Sequence, residues 1–527
     1  MHDSNKHAYF VGGGLASLAA AVYLIEDAGF KGENIHIIEA LPVLGGSNDG
    51  AGAKQEGFVC RGGRMLNEET YENFWDLTSR IPSLEVPNIS VKDEILAFDH
   101  ANPTHAKARL IDKYGKILDV HSMGFDHDDR MKMLKLFFTD ENELDHMTIR
   151  EWFGDHFFTT NFWYMWQTTF AWQEWSSLFE FRRYMNRMIL EFSRIDTLEG
   201  VTRTPYNQYE SVILPIKKHL DKFGVDYSLK RTVTDLIFKD DNGITVTAIQ
   251  YQDADGQTGS IALQEGDLCF FTNGCITDNS DNGDYKTPAR YLPDNPPSFA
   301  LWKKIALKKP RLGNPDPFFG KPDETKWYSF TATFRGNKML KLIEAFSGNK
   351  PGSGALMTFK DSSWRMSIVV AAQPHFKAQG EDTTIFWGYG LYPDKTGDFV
   401  QKRMIDCTGE EILTELLHHL HFEQHETEIK ESVVNVIPVM MPYIDALFQP
   451  HAKSDRPPVV PRGSTNLAMI SQFVEIPQDM VFTEEYSVRA ARTAVYTLLN
   501  IDREVAPVTP YNRRPDVLAK AVHTAYR

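Results

Sequence analysis

Residues 7–39 constrain the fold more tightly than any other part of the chain. His7 to Val11 reads as a short buried strand, Gly12-Gly13-Gly14-Leu15-Ala16-Ser17 as a tight turn, and Leu18 to Ile25 as an apolar helix. Asn34 to Glu39 then reads as a second strand that closes on an acid. Strand, glycine turn, helix, strand and terminal acid, in that order, are what a dinucleotide-binding βαβ unit requires. A Cβ at Gly12 or Gly14 would block the turn or the backbone's approach to a pyrophosphate. The N-terminus of the helix that follows the turn would point unpaired N–H groups at those phosphates. Glu39 can accept hydrogen bonds from a ribose diol and would repel a 2′-phosphate.

A second glycine cluster follows, Leu44-Gly45-Gly46-Ser47-Asn48-Asp49-Gly50-Ala51-Gly52, and then Arg61-Gly62-Gly63-Arg64. Glycines this dense after the ribose acid suit a backbone lying against a flat anionic cofactor, with arginines nearby. That pattern favours FAD, wrapped over its whole length, over a nicotinamide dinucleotide. Taken alone, the same glycines are also compatible with ordinary turns.

Between Trp152 and Tyr184 the chain is unusually aromatic and holds Trp152, Trp163, Trp166, Trp172 and Trp175, half of its 10 tryptophans. Phe162, Trp166 and Phe170 recur at helical spacing, as do Trp175 and Phe179, so helices are expected. Two readings stay open here: a helix–helix core, or an aromatic-lined pocket for a long apolar ligand. Residues 227–251 alternate as β-hairpins do, and Asp267 to Gly274 reads as a buried strand returning to the nucleotide-binding sheet. Strands are expected at Trp364–Ala372 and Thr384–Tyr392, and a last long helix from Thr483 or Glu484. The mildly basic tail after Tyr511 is expected to be a helix, either a solvated face or a contact for an anionic membrane surface.

Composition narrows the partners. The 527 residues are 42% hydrophobic and 24% charged, with a net charge of −15 that argues against nucleic acid. No apolar run approaches the roughly 18 residues a transmembrane helix needs. The start, MHDSNKHAYF, lacks the charged and apolar regions of a secretion signal. Cys60, Cys269, Cys275 and Cys407 form no CxxC pair, which fits a reducing, cytoplasmic setting without a structural metal.

Several stretches together resemble one family, the FAD-containing oleate hydratases, also called myosin-cross-reactive antigens. They are GGGLASLAAA (12–21), LGGSNDGAG (44–52), RGGRM (61–65), FRRYMNRM (181–188), YNQYES (206–211), TNGCITDNS (272–280) and QFVEIPQDMVFTEEYSVRAA (472–491). The resemblance implies an α/β fold, with a doubly wound, Rossmann-like FAD-binding domain of GR2 type, a substrate domain and a helical lid or C-terminal segment. The corresponding division runs 1–125, 205–298 and 431–502 for the FAD-binding parts. Residues 126–204 form the aromatic helical substrate region, 299–430 the substrate-binding domain and 503–527 the tail. It implies addition of water across the cis-9 double bond of an unsaturated fatty acid such as oleic acid, giving a 10-hydroxy acid, with FAD bound without net redox turnover. A monomer or weak homodimer is implied.

The resemblance also assigns residues. Tyr184 aligns with the family's proton donor, and a phenol of reference pKa about 10 is protonated at neutral pH. Gln208 aligns with a residue that helps hold the substrate carboxylate, and His451 with a further polar contact there. Gly12, Gly14, Ala16, Glu39, Gly46, Ser47, Arg61, Gly63, Arg64, Val233 and Thr483 are expected along the cofactor. One position departs from the pattern. Much of the family carries Glu directly after the RGGR turn, where it orients or deprotonates water, and this chain has Met65. A thioether cannot act as a base, so either flavin and backbone hold the water, or Asn67, Glu68 or Glu69 substitutes. A redox flavoenzyme acting on a long apolar substrate is the alternative function; a binding protein that has lost catalysis is a third.

Overall fold

A computed structural model of the chain describes residues 5–48 and 50–527; Met1 to Ser4, and Asp49 of the second glycine cluster, lie outside the described residues. The strand Ala8–Val11 is almost wholly apolar, as a strand covered on both faces must be. It sits in the middle of a five-stranded parallel sheet. Ile35–Glu39 and then Asp226–Leu229 lie on one side of it, Leu268–Phe271 and then Leu467–Met469 on the other. The expected return of the chain near Asp267 is therefore present, in register Val11 to Phe271.

The connecting helix spans Leu15–Glu26, three residues longer at its start than the apolar pattern alone marks. Ala19, Ala20 and Ala21 are fully buried, and such small side chains let the helix Glu484–Leu498 pack closely across it. Thr483 caps that second helix, its side chain accepting the Tyr486 N–H.

The alternation at residues 227–251 is only partly a hairpin. Arg231–Phe238 and Val246–Asp253 do pair antiparallel. Asp226–Leu229 instead joins the edge of the parallel sheet, pairing His36 with Asp226. A partner 190 positions away leaves no trace in local alternation. A second, seven-stranded sheet is built around Trp327–Arg335, with Thr383–Gly390 and Val433–Met441 on either side, all antiparallel. The expected strands near 364–372 and 384–392 belong to it, as Met366–Val369 and Thr383–Gly390.

The aromatic stretch forms two helices, Asn161–Phe170 and Leu178–Arg187, followed by the short turn Ile189–Phe192. Trp175 lies ahead of the second helix, which begins only after Ser177 caps it through the Glu180 N–H, so the expected Trp175–Phe179 helical pair does not form. Trp163, Trp166 and Trp172 are buried among one another's neighbours, with Trp172 stacked on Phe448 at 4.0 Å between ring centroids. The tail forms a helix over Pro515–Ala525 that packs against Ile189–Phe192 and leaves Val522 and Tyr526 exposed. Among the described residues no helix is long and apolar enough to cross a membrane.

Candidate functional site

The ends of the parallel strands open into a cavity of about 630 Å³. Ligands of open parallel sheets bind at this edge, beyond the carboxyl ends of the strands. Gly12, Gly14, Ala16 and Glu39 line it, and so do Gly46, Ser47, Arg61, Gly63 and Arg64 from the two later turns. Val233 and Thr483 complete this part of the wall. Gly12 has φ +101°, a conformation side chains rarely adopt, and a Cβ there would stand 3.0 Å from Thr272 Oγ1. The two glycine turns lie against each other, with the Gly45 N–H bonded to the Gly13 carbonyl at 2.9 Å.

The residues present fit a dinucleotide. The helix Leu15–Glu26 has no side-chain N-cap and no acid in its first turn, so its leading N–H groups and positive dipole end are left for an anion. The Glu39 carboxylate accepts the Gly13 N–H at 2.7 Å and the Leu41 N–H at 2.8 Å. A carboxylate offers about four lone-pair directions, so capacity remains for two hydroxyls. Burial raises the pKa of Glu39, while the N–H bonds from Leu41 and Gly13 oppose that rise. The Arg61 guanidinium donates to the Gly46 carbonyl at 2.8 Å and that of Arg64 to the Ser47 carbonyl, tying the turns together.

The same cavity continues to Met65 and Tyr184. The Tyr184 ring is enclosed by Phe170, Trp172 and Phe448 at 5.3, 5.0 and 5.7 Å between centroids. Its hydroxyl donates to the Val481 carbonyl. Burial drives the Tyr184 pKa well above 10, so the phenol holds its proton at any ordinary pH. None of the five tryptophans between 152 and 184 lines the cavity; from that segment Thr168 to Ala171 and Tyr184 do. Trp163, Trp166 and Trp172 are core and Trp152 and Trp175 pack partly buried against it, so from this segment the cavity wall takes the end of the first helix and Tyr184.

Gln208 and His451 lie elsewhere. Gln208 sits with Arg203 and His375 on a narrow neighbouring cavity that shares Gly62, Gly63, Arg64 and Trp387 with the large one. Its side-chain oxygen has no partner. His451 lines neither cavity and is fully buried against Phe179 and Phe318. Its Nδ1 bonds to the Gln449 carbonyl at 2.6 Å, and burial followed by the Arg456 charge holds the imidazole neutral, well below its usual pKa.

The candidates to replace the missing Glu also separate. Glu68 pairs with His100 at the surface at 3.1 Å, and Glu69 with Arg194 at 3.0 Å. Asn67 reaches the cavity wall, but its Oδ1 accepts from Thr70 and its Nδ2 donates to Glu191 and to the Gly200 carbonyl. Two acids that sequence reasoning did not single out, Glu191 and Glu484, do line the cavity, each with one unpartnered oxygen. Glu191 falls seven residues after Tyr184, but the helix breaks at Met188 between them, so no single helical spacing marks it.

A parallel sheet with an uncapped glycine turn, an acid closing its second strand and a deep cleft at its carboxyl edge defines a Rossmann-like α/β fold. Two solved structures share the fold: a putative protoporphyrinogen oxidase from Exiguobacterium (12% identity, TM-score 0.50, covering 94% of this chain and 99% of that one) and a redesigned putrescine oxidase (11%, 0.53, 94% and 99%). Within that class the chain belongs to the MCRA family, whose model matches residues 5–496. A linoleate hydratase of Lactiplantibacillus plantarum is 40% identical over 98% of this chain and 97% of its own length. An oleate hydratase of Streptococcus pyogenes is 38% identical over 95% and 86%.

Proposed function

We propose that the protein is a fatty-acid hydratase that adds water across the cis-9 double bond of oleic acid and its relatives, giving 10-hydroxy acids. FAD would occupy the glycine-lined part of the cavity, its ribose on Glu39, its pyrophosphate on the Leu15–Glu26 helix and its ring near Arg61 to Met65. The observation that carries the reading is that one cavity joins this cradle to the Tyr184 hydroxyl. The hydratase relatives named above support the substrate class.

An isolated alkene is hydrated by giving a proton to one carbon while water attacks its neighbour. Tyr184 is the donor: it is protonated, held on a helix, and shielded from water by Phe170, Trp172 and Phe448. Burial disfavours its phenolate, but in the transition state the opposing charge on the substrate carbon lies beside it, where low dielectric strengthens the attraction. The bond to the Val481 carbonyl must be exchanged for the alkene when substrate enters. The bound flavin would supply a flat polar surface beside the alkene, with no net electron transfer. Affinity would come chiefly from the acyl chain, at roughly 0.8 kcal/mol per buried CH₂ before ordering costs.

The test is turnover of oleic acid by the FAD-loaded enzyme, with product mass and electron-acceptor consumption followed together. A product heavier by one water, with no acceptor consumed, is expected; acceptor-dependent oxidation would establish the redox alternative. Tyr184→Phe should lose about 10²–10⁴-fold in kcat while keeping its flavin. Comparable kcat in that variant and the wild type would end the assignment of Tyr184.

A further inference from the structure

Met65 leaves the proposed reaction without an obvious group to take the proton from water. The cavity wall holds one. The helix Leu178–Arg187 runs into the turn Ile189–Phe192, so Tyr184, Met188 and Glu191 follow one another at i, i+4 and i+7. Met188 joins the two with φ −99° and ψ 28°, outside helical geometry, and all three residues line the large cavity, so a reacting alkene can lie along that wall between a donor and an acceptor.

The Glu191 carboxylate is held firmly. Its Oε1 accepts from Asn67 Nδ2 at 2.9 Å and from Arg194 Nε at 3.0 Å. Gly200 passes so close that an added Cβ would stand 2.1 Å from Oε1, so bare backbone is needed to admit the carboxylate. Its Oε2 has no partner, although the residue is only 4% exposed. A buried carboxylate oxygen left unbonded in an otherwise completed arrangement calls for a ligand, because the penalty of an unmade bond is about 1–3 kcal/mol. Asn67 joins the two stories: it stands two residues after Met65, and it is spent on orienting Glu191.

We infer that Glu191 is the water-activating base of this chain, taking over on the wall it shares with Tyr184 the work that Met65 cannot do. The inference rests on the hydratase reading. The alkene π pair takes the Tyr184 proton and forms a C–H bond. A water lone pair forms the C–O bond at the neighbouring carbon as that water's proton passes to Glu191 Oε2. The carboxylic acid then returns a proton through water to the Tyr184 phenolate. H and OH are added, and no electrons leave or enter. The charged groups facing Glu191 are Arg194, which favours its ionised form, and Glu69, which opposes Arg194. Burial pushes the carboxyl upward against that arginine, toward the basicity that suits a base working near neutral pH.

The test is steady-state hydration of oleic acid by the full, FAD-loaded chain across pH. Glu191→Gln, which keeps shape and a partner for Arg194, should lower kcat by about 10²–10⁴-fold. It should leave KM within about threefold and flavin absorbance unchanged, and flatten the acidic limb of the kcat/KM profile, because the group whose protonation stops wild-type turnover is gone. Glu191→Asp retains charge and chemistry on a shorter arm, so it should keep an acidic limb and an intermediate rate; it decides the matter if the Gln variant does not fold. Either variant with a wild-type rate and profile overturns the inference while leaving the hydratase reading intact. A wild-type enzyme that does not hydrate oleic acid overturns the reading itself, and the assignment of Glu191 with it.

Discussion

Glu484 and Glu485 are neighbours on one helix, the first half-buried and the second fully buried, and loss of solvent pushes both carboxyls up to about 7. They face opposite environments. Glu485 belongs to a buried set in which Arg187 and Arg489 share Asp479 at 3.0 and 2.8 Å, and Arg187 also meets Glu72 at 2.9 Å. Glu485 itself accepts the Phe74 N–H at 2.7 Å, Asn73 Nδ2 at 2.9 Å and Arg489 at 3.1 Å. Every charged atom of that set is used. Glu484 belongs to the cavity wall, where Asn48 Nδ2 donates to its Oε1 at 2.7 Å, the Arg64 charge acts on it, and its Oε2 has no hydrogen-bond partner among the described residues. Trp387, Thr272 and Glu191 line the same cavity, and Trp387 Nε1, Thr272 Oγ1 and Glu191 Oε2 are buried without a hydrogen-bond partner. Completed polar groups tie the chain together, and open ones mark where something else binds.

The largest break in that comparison is expected at Asp479. Burial alone would push its carboxyl up, but Arg187 and Arg489 outweigh burial and hold it below the usual range. Asp479→Ala leaves two guanidiniums buried with one anion fewer between them, which costs about 3–5 kcal/mol. Thermal unfolding of the flavin-bound protein measures it, and a loss below about 1 kcal/mol would show that the set is not structural.

Glu484 should behave in the opposite sense, at about the lower edge of that range. Its folded pKa of about 7 lies above the ordinary glutamate value of 4.5, so the folded chain holds the proton more tightly than the unfolded one. The resulting stability is fully present below pH 4.5 and is lost as pH rises through 7. Ionised Glu484 then costs the flavin-free chain on the order of 3 kcal/mol by linkage. Glu484→Gln should therefore raise the melting temperature of flavin-free protein at pH 8 and leave it unchanged at pH 4.5. Glu485→Gln sets an amide NH2 against N–H donors that both carboxylate oxygens now accept, so it should lower the melting temperature at pH 4.5 as well, where ionisation plays no part. Equal behaviour of the two variants would dissolve the distinction.

The parts of this molecule legible in its sequence are those whose physics is local. The βαβ unit can be read because turn, helix and acid lie within one short stretch, and Thr483 because a cap precedes its own helix. Asp226–Leu229 was hidden by the hairpin that follows it, since parallel pairing across the chain imposes no alternation of its own. Trp163 and Trp166 could be placed on a helix but not on a face of the cavity, because both readings demand the same apolar spacing, and the helical spacing of Trp175 and Phe179 is broken by the Ser177 cap. Glu191 and Glu484 carry no local signal, as a lone acid on a helix usually faces water. Only the fold shows that Gly200 and Asn67 close around one and Asn48 around the other.

The smallest expected effect sharpens the comparison most finely, because Gln208 combines both conditions in one side chain. Its residue is buried, its Oε1 is unbonded, and it faces the narrow cavity rather than the large one. The shared wall of Gly62 to Arg64 and Trp387 is all that separates it from the proposed reaction, so it can set where a substrate's polar end rests without touching the alkene. A neutral hydrogen bond of this kind contributes about 0.5–1.5 kcal/mol. Gln208→Ala should accordingly raise KM for oleic acid about two- to tenfold, or yield more than one hydroxylation position, with kcat little changed. Unchanged KM and a single product would place the open oxygen of Gln208 outside substrate binding, and a collapse of kcat would mean that the narrow cavity belongs to the chemistry itself.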